Sequence, residues 1–86
     1  MGWNAVSFVK EHYVLNGIES LSEFYFVHSY YPVPVKEDFI IAYTDYADEN
    51  FASIVGYKNI IACQFHPEKS GRIGLKLLEN FCKWEV

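Results

Sequence analysis

Apolar residues follow two rhythms along this chain. Up to residue 65 they come as short runs and alternations broken by turn-forming residues; from residue 73 they recur at helical spacing. Val6 and Phe8 alternate weakly within Asn4 to Val9, which predicts a strand. Lys10-Glu11-His12 reads as a polar turn with a solvated His12. Asn16-Gly17 is a second turn signal, and Ile18 to Leu21 suggests one helical turn. Phe24 to Tyr30 is dense in aromatic and β-branched residues and predicts a strand. In it Phe24, Phe26 and His28 share one face, with Tyr25, Val27 and Ser29 on the other. Pro32 and Pro34 forbid its regular continuation. Phe39 to Tyr43 predicts another strand, Thr44 to Asn50 a polar connection, and Phe51 to Gly56 an alternating strand. Tyr57-Lys58-Asn59 reads as a hairpin turn. Ile60 to Phe65 is almost continuously apolar, the pattern of a strand buried on both faces. Short connections between such strands imply mostly antiparallel pairing.

The chain ends in a helix pattern from Ile73 to Trp84. At about 100° per residue, Ile73, Leu75, Leu77, Leu78, Phe81, Cys82 and Trp84 occupy one wide apolar arc. Arg72, Lys76, Glu79, Asn80 and Lys83 take the opposite arc. Gly74 falls within the apolar arc, where a missing side chain permits close approach to the sheet. Ser70 is placed to cap the helix.

Between the last strand and this helix lies His66-Pro67-Glu68-Lys69-Ser70-Gly71. Pro67 fixes its own φ and drives His66 toward extended conformations. In an extended segment residues i and i+2 point the same way, so His66 and Glu68 can lie side by side. A carboxylate beside an imidazole accepts its Nδ1–H, fixes the tautomer and stabilises the imidazolium. Nε2 can then take a proton from a nucleophile. That is the base-and-orienter half of a nucleophilic triad. A bare His-x-Glu is more often a solvated surface loop.

The wider stretch narrows the choice. Gln64-Phe65-His66-Pro67-Glu68-Lys69-Ser70-Gly71 resembles the His-Pro-Glu signature of class I glutamine amidotransferases. Tyr25-Phe26-Val27-His28-Ser29-Tyr30-Tyr31 and Met1-Gly2-Trp3-Asn4 extend the resemblance to the glutaminase subunits of imidazole glycerol phosphate synthase. It covers essentially all 86 residues but only the C-terminal part of the family's length. The expected fold class is α/β, with residues 1–86 forming the C-terminal segment of the amidotransferase domain. This segment would hold mostly antiparallel strands and the C-terminal helix, without the nucleophile-bearing N-terminal half. The resemblance implies that glutamine is hydrolysed to glutamate and ammonia, with the ammonia passed to a cyclase (synthase) subunit in histidine biosynthesis. A cytoplasmic heterodimer is implied with it.

The same resemblance assigns roles. His66 would be the base and Glu68 its orienter. Ser29 and Tyr30 would bind the glutamine substrate, with His28 a weaker candidate. Lys69 would meet an acidic residue of the synthase subunit, Trp3 would lie near that interface, and Tyr25 would be either core or partner-facing. The chain departs from the family in one respect. The nucleophile belongs on a Gly-rich strand-to-helix turn, and neither cysteine here has such a setting. Cys63 lies in the strand three residues before His66, where alternation aims it at the opposite face, and Cys82 lies deep in the helix. The chain alone is therefore expected to be inactive. Two other readings stay open: an amidotransferase fragment from anthranilate or guanylate synthesis, and a non-enzymatic binding module.

Composition sets outer limits. A net charge of −4 argues against a nucleic-acid partner. No apolar run reaches the roughly 18 residues of a membrane span, and the first residues show no secretory leader. Two cysteines form neither a disulfide framework nor a metal-ligand spacing, so no metal and no cofactor is expected. Asp45, Asp48 and Glu49 lack the glycine and spacing of a calcium loop. The 51% apolar content is high for so short a chain, and an isolated segment is expected to leave a sheet edge and an apolar face uncovered.

Overall fold

The computed structural model describes residues 2–26, 36–46 and 49–84. In chain order the strands are β1 (Gly2–Ala5), β2 (Ser7–Phe8), β3 (Glu23–Phe26), β4 (Ile40–Tyr46), β5 (Glu49–Tyr57) and β6 (Ile60–Cys63), followed by the helix α1 (Gly71–Lys83). Single 3₁₀ turns form at Tyr13–Leu15, Glu37–Phe39 and Pro67–Lys69. Among the described residues all pairing is antiparallel, in a β1-β3 ribbon and a β2-β4-β5-β6 sheet.

The expected first strand is real but divided. Val6 is fully buried between β1 and β2, and its backbone bonds the Leu21–Ser22 segment instead of either sheet. One apolar residue thus steers the chain from the ribbon into the larger sheet. The expected helical turn at Ile18–Leu21 is absent. The turn lies earlier, at Tyr13–Leu15, where His12 Nδ1 accepts the Val14 amide proton at 3.2 Å. His12 is therefore not a solvated turn residue: it caps that turn, packs edge-on against Trp84 at 4.7 Å, and has its pKa lowered by burial.

The polar connection expected over residues 44–50 is mostly strand. Pairing continues out to Tyr46 opposite Glu49. Thr44 is buried on the core side, and Asn50 Nδ2 donates to Asp45 Oδ1 across the ribbon at 2.5 Å. Cross-strand polar pairs extend the hairpin where hydrophobic patterning has stopped. Asp48 lies outside the described residues. The hairpin turn at Lys58-Asn59 forms as expected between paired Tyr57 and Ile60, with Lys58 accepting φ +54°.

Two expectations about burial fail. β6 is an edge strand, with Ile60 63% exposed, although its composition suits burial on both faces. On α1 the buried positions are Gly74, Leu77 and Asn80, while Leu75 and Phe81 are 61% and 47% exposed. The helical pattern puts Asn80 on the polar arc. It is drawn inside because its Nδ2 donates to the carbonyls of Val14 at 2.9 Å and Asn16 at 2.8 Å, which closes the exposed end of the Tyr13–Leu15 turn. Helical periodicity located the helix but set its inward face slightly off. The core itself runs through Val6, Val14, Phe24, Phe26, Ile41, Phe51, Ile54, Phe65 and Leu77.

Candidate active site at the strand-to-helix elbow

The elbow is built from Phe65 outward. Gln64 still pairs with the sheet through its amide to the Ser53 carbonyl at 2.9 Å. Phe65 then plunges into the core, 3% exposed, stacked on Phe24 at 4.3 Å and edge-on to Phe26 at 5.6 Å. Such aromatic pairs contribute ~0.5–1.5 kcal/mol each beyond their buried area. The anchor turns the chain from the larger sheet to the β1-β3 ribbon. The very next amide, His66 N–H, donates to the Tyr25 carbonyl at 2.9 Å.

His66 is extended (φ −101°, ψ 99°) and opens the Pro67–Lys69 turn, as Pro67 requires. Its Nδ1 lies 3.0 Å from Glu68 Oε2. The side chains are 37% and 57% exposed, so the pair sits at an open rim and its charge interaction is screened by solvent. The hydrogen bond from His66 is the main reason the Glu68 carboxyl stays below its ordinary pKa, with a backbone bond and the Lys69 charge adding to it. With Nδ1 committed to the carboxylate, proton exchange with a substrate or nucleophile falls to Nε2.

Neither cysteine serves that base. Cys63 Sγ donates to the Phe65 carbonyl at 3.5 Å and lines an apolar cavity with Ile61, Pro67, Leu77 and Phe81. Cys63 is exposed as a residue, but packing around its sulfur, aided by Glu68, pushes the thiol pKa up to about 11, the reverse of an activated thiol. Cys82 is exposed on α1. Among the described residues no cluster of His, Cys, Asp and Glu could hold a metal.

The other expected site residues fall into two groups. Ser29, Tyr30 and His28 lie outside the described residues. Trp3, Tyr25 and Lys69 surround the elbow. Trp3 and Tyr25 are cross-strand partners with ring centres 5.6 Å apart, and Trp3 is 51% exposed. The tip of its indole reaches Gly71, lying 3.8 Å from where a Cβ would stand there. Lys69 closes the 3₁₀ turn through its amide to the His66 carbonyl, leaving its side chain exposed.

Two residues that hold the elbow, Ser70 and Gly74, have partners other than those the sequence suggests. Ser70 stands at the helix start but makes no side-chain cap bond. Its buried hydroxyl instead accepts the Tyr25 amide proton at 2.8 Å and donates to the His66 carbonyl at 2.7 Å. Gly74 presses against the Pro67 carbonyl, where a Cβ would lie 1.9 Å from the oxygen. The close approach expected at Gly74 is therefore real, but it is made to the elbow at Pro67 and Ser70.

A paired imidazole and carboxylate between strand and helix is an arrangement that general acid–base chemistry can use. Residues 1–84 match the family described as glutamine amidotransferase class-I, and the chain belongs to that family. It is 53% identical over 81 residues to imidazole glycerol phosphate synthase subunit HisH of Methanocaldococcus jannaschii, covering 94% of this chain and 40% of that protein. It is 49% identical over 84 residues to the protein of the same name from Nitrosococcus oceani, covering 98% of this chain and 40% of that one. The Pyrococcus furiosus counterpart is 49% identical over 81 residues, 94% of this chain and 42% of its own length. The chain thus spans about two fifths of the length of these curated relatives.

Proposed function

We propose that this chain supplies the base and orienter of a glutaminase that feeds ammonia to imidazole glycerol phosphate synthesis in the histidine pathway. The observation that carries this is the 3.0 Å contact between His66 Nδ1 and Glu68 Oε2, held on a family-matched elbow. In the reaction a cysteine thiolate attacks the side-chain amide carbon of glutamine. His66 Nε2 delivers a proton to the departing nitrogen, which leaves as ammonia. The resulting thioester is hydrolysed by water, whose proton His66 accepts, and glutamate is released. Glu68 holds the ring and stabilises the imidazolium present before the proton is given to the leaving nitrogen and again after one is taken from water.

The thiolate comes from outside these residues, since the Cys63 thiol is pushed up to about 11 and turned toward Phe65. Ser29 and Tyr30 bind glutamine. Trp3, Tyr25 and Lys69 face the cyclase subunit of a cytoplasmic heterodimer whose assembled synthase acts as a lyase. The packing of exposed Trp3 on half-buried Tyr25 beside the elbow supports this, because an aromatic pair beside a charged residue is suited to a protein interface. The identity to three synthase subunits favours this pathway over anthranilate or guanylate synthesis.

The test is ammonia release from glutamine by the purified 86-residue chain beside its His66→Ala variant. Both are expected to give background only. Release by the wild type above the variant would place a nucleophile inside this chain and overturn the division of labour.

A further inference from the structure

The elbow that carries His66 is tied down at both ends, and one hydroxyl makes two of the ties. Ser70 is 2% exposed. A serine hydroxyl has one proton to give and lone pairs to receive, and here both capacities are used. It receives the Tyr25 N–H and gives its proton to the His66 carbonyl. Tyr25 in turn accepts the His66 N–H, so both backbone groups of one β3 residue face the elbow instead of β1. The usual role of a serine at this position is to cap the helix, and that role is forgone.

We propose that Ser70 is the positioning residue of this site, its hydroxyl registering the His66 backbone against Tyr25 so that the imidazole stands in reach of Glu68. This rests on the reading of His66 and Glu68 as base and orienter. It adds the coupling of that pair to β3, the strand whose sequence runs on to Ser29 and Tyr30. Through it, a shift of β3 is a shift of the base.

The experiment is nitrogen NMR on the labelled 86-residue chain. It reads the share of neutral His66 that carries its proton on Nδ1, and the hydrogen exchange of the Tyr25 amide. Wild type is expected to favour Nδ1–H, and Glu68→Ala to lose that preference. Ser70→Ala is expected to lose it as well and to speed Tyr25 exchange by about tenfold or more, the loss of one buried hydrogen bond. Asn80→Ala, which cuts two bonds at the far end of α1, is expected to leave the His66 tautomer unchanged. If Ser70→Ala does not fold, Ser70→Cys, of similar shape but a weaker acceptor, carries the comparison. The proposal is overturned if the folded Ser70 variants keep the wild-type tautomer preference and Tyr25 protection. Equal tautomer shares in wild type and Glu68→Ala would instead sink the dyad, while Tyr25 exchange still decides whether Ser70 holds the elbow.

Discussion

Replacing Gly74 by alanine separates two opposite expectations. In an ordinary helix interior the change stabilises by ~1 kcal/mol, because alanine loses less backbone freedom than glycine. At position 74 the new methyl carbon would stand 1.9 Å from the Pro67 carbonyl oxygen, 2.9 Å from its carbon and 2.7 Å from Ser70 Cβ. A relaxed carbon–oxygen contact needs a retreat of roughly 1.4 Å. Nothing flexible is available to give way: two of the three neighbours are backbone, and the third carries the hydroxyl bonded to Tyr25 and His66. Overpacking of this kind costs ~1–3 kcal/mol, and a retreating elbow strains hydrogen bonds worth ~1 kcal/mol each. The net expectation is destabilisation by ~2–4 kcal/mol, a large share of the ~4–13 kcal/mol typical of a chain this size. Urea unfolding followed by tryptophan fluorescence measures it, as a lower midpoint with unchanged slope. The melting temperature should fall by roughly 10 °C or more. A midpoint equal to or above that of the unmodified chain would refute the close approach of helix and elbow.

Other expectations follow from the same structure. Phe65→Ala removes the aromatic anchor behind the base and should cost ~3–5 kcal/mol in the same urea assay; a loss below ~1 kcal/mol would mean Phe65 does not hold the elbow. Asn80→Ala deletes both bonds to the Tyr13–Leu15 turn and should cost ~1–3 kcal/mol, whereas no change would show the turn closed by other means. Cys63, with its thiol pushed up to about 11, keeps on the order of one thiolate in ten thousand at neutral pH. Although Cys63 is exposed, mass-resolved alkylation at neutral pH should therefore find it slower than a small free thiol, and a comparable rate would contradict the raised pKa. Glu68 has a folded-state pKa below its unfolded value. Its contribution is thus present above the ordinary carboxylate range and lost as pH falls through the depressed value. Glu68→Gln should flatten the acid limb of the stability profile slightly, and an unchanged limb would count against the hydrogen bond to His66.

How much could be read in advance depended on whether the signal was local. The His66–Glu68 pairing was legible because Pro67 fixes its own φ and holds His66 extended, although from Pro67 the chain curls into a 3₁₀ turn instead of running on extended. The Lys58-Asn59 turn was legible from alternation on either side. Residues whose role depends on a distant partner were not. Asn80 looked polar and solvent-facing until the Val14 and Asn16 carbonyls, 66 and 64 residues away, supplied its bonds. His12 looked solvated for want of a visible partner, and Ser70 looked like a cap because its true partner is Tyr25, 45 positions earlier. The burial of β6 failed for another reason. Its apolar sequence suits neighbours on both sides, but among the described residues it pairs only with β5. That mismatch is consistent with a chain spanning two fifths of its relatives' length.

The most direct test of the account is a chimera. This chain replaces the 81 matched residues of the Methanocaldococcus jannaschii relative, and glutamine-dependent ammonia release is measured in the presence of that synthase's other subunit. The account predicts that the chimera is active and that His66→Ala lowers its turnover by at least ~10³-fold. Turnover unchanged by that substitution would show that His66 is not the base and would contradict the central claim.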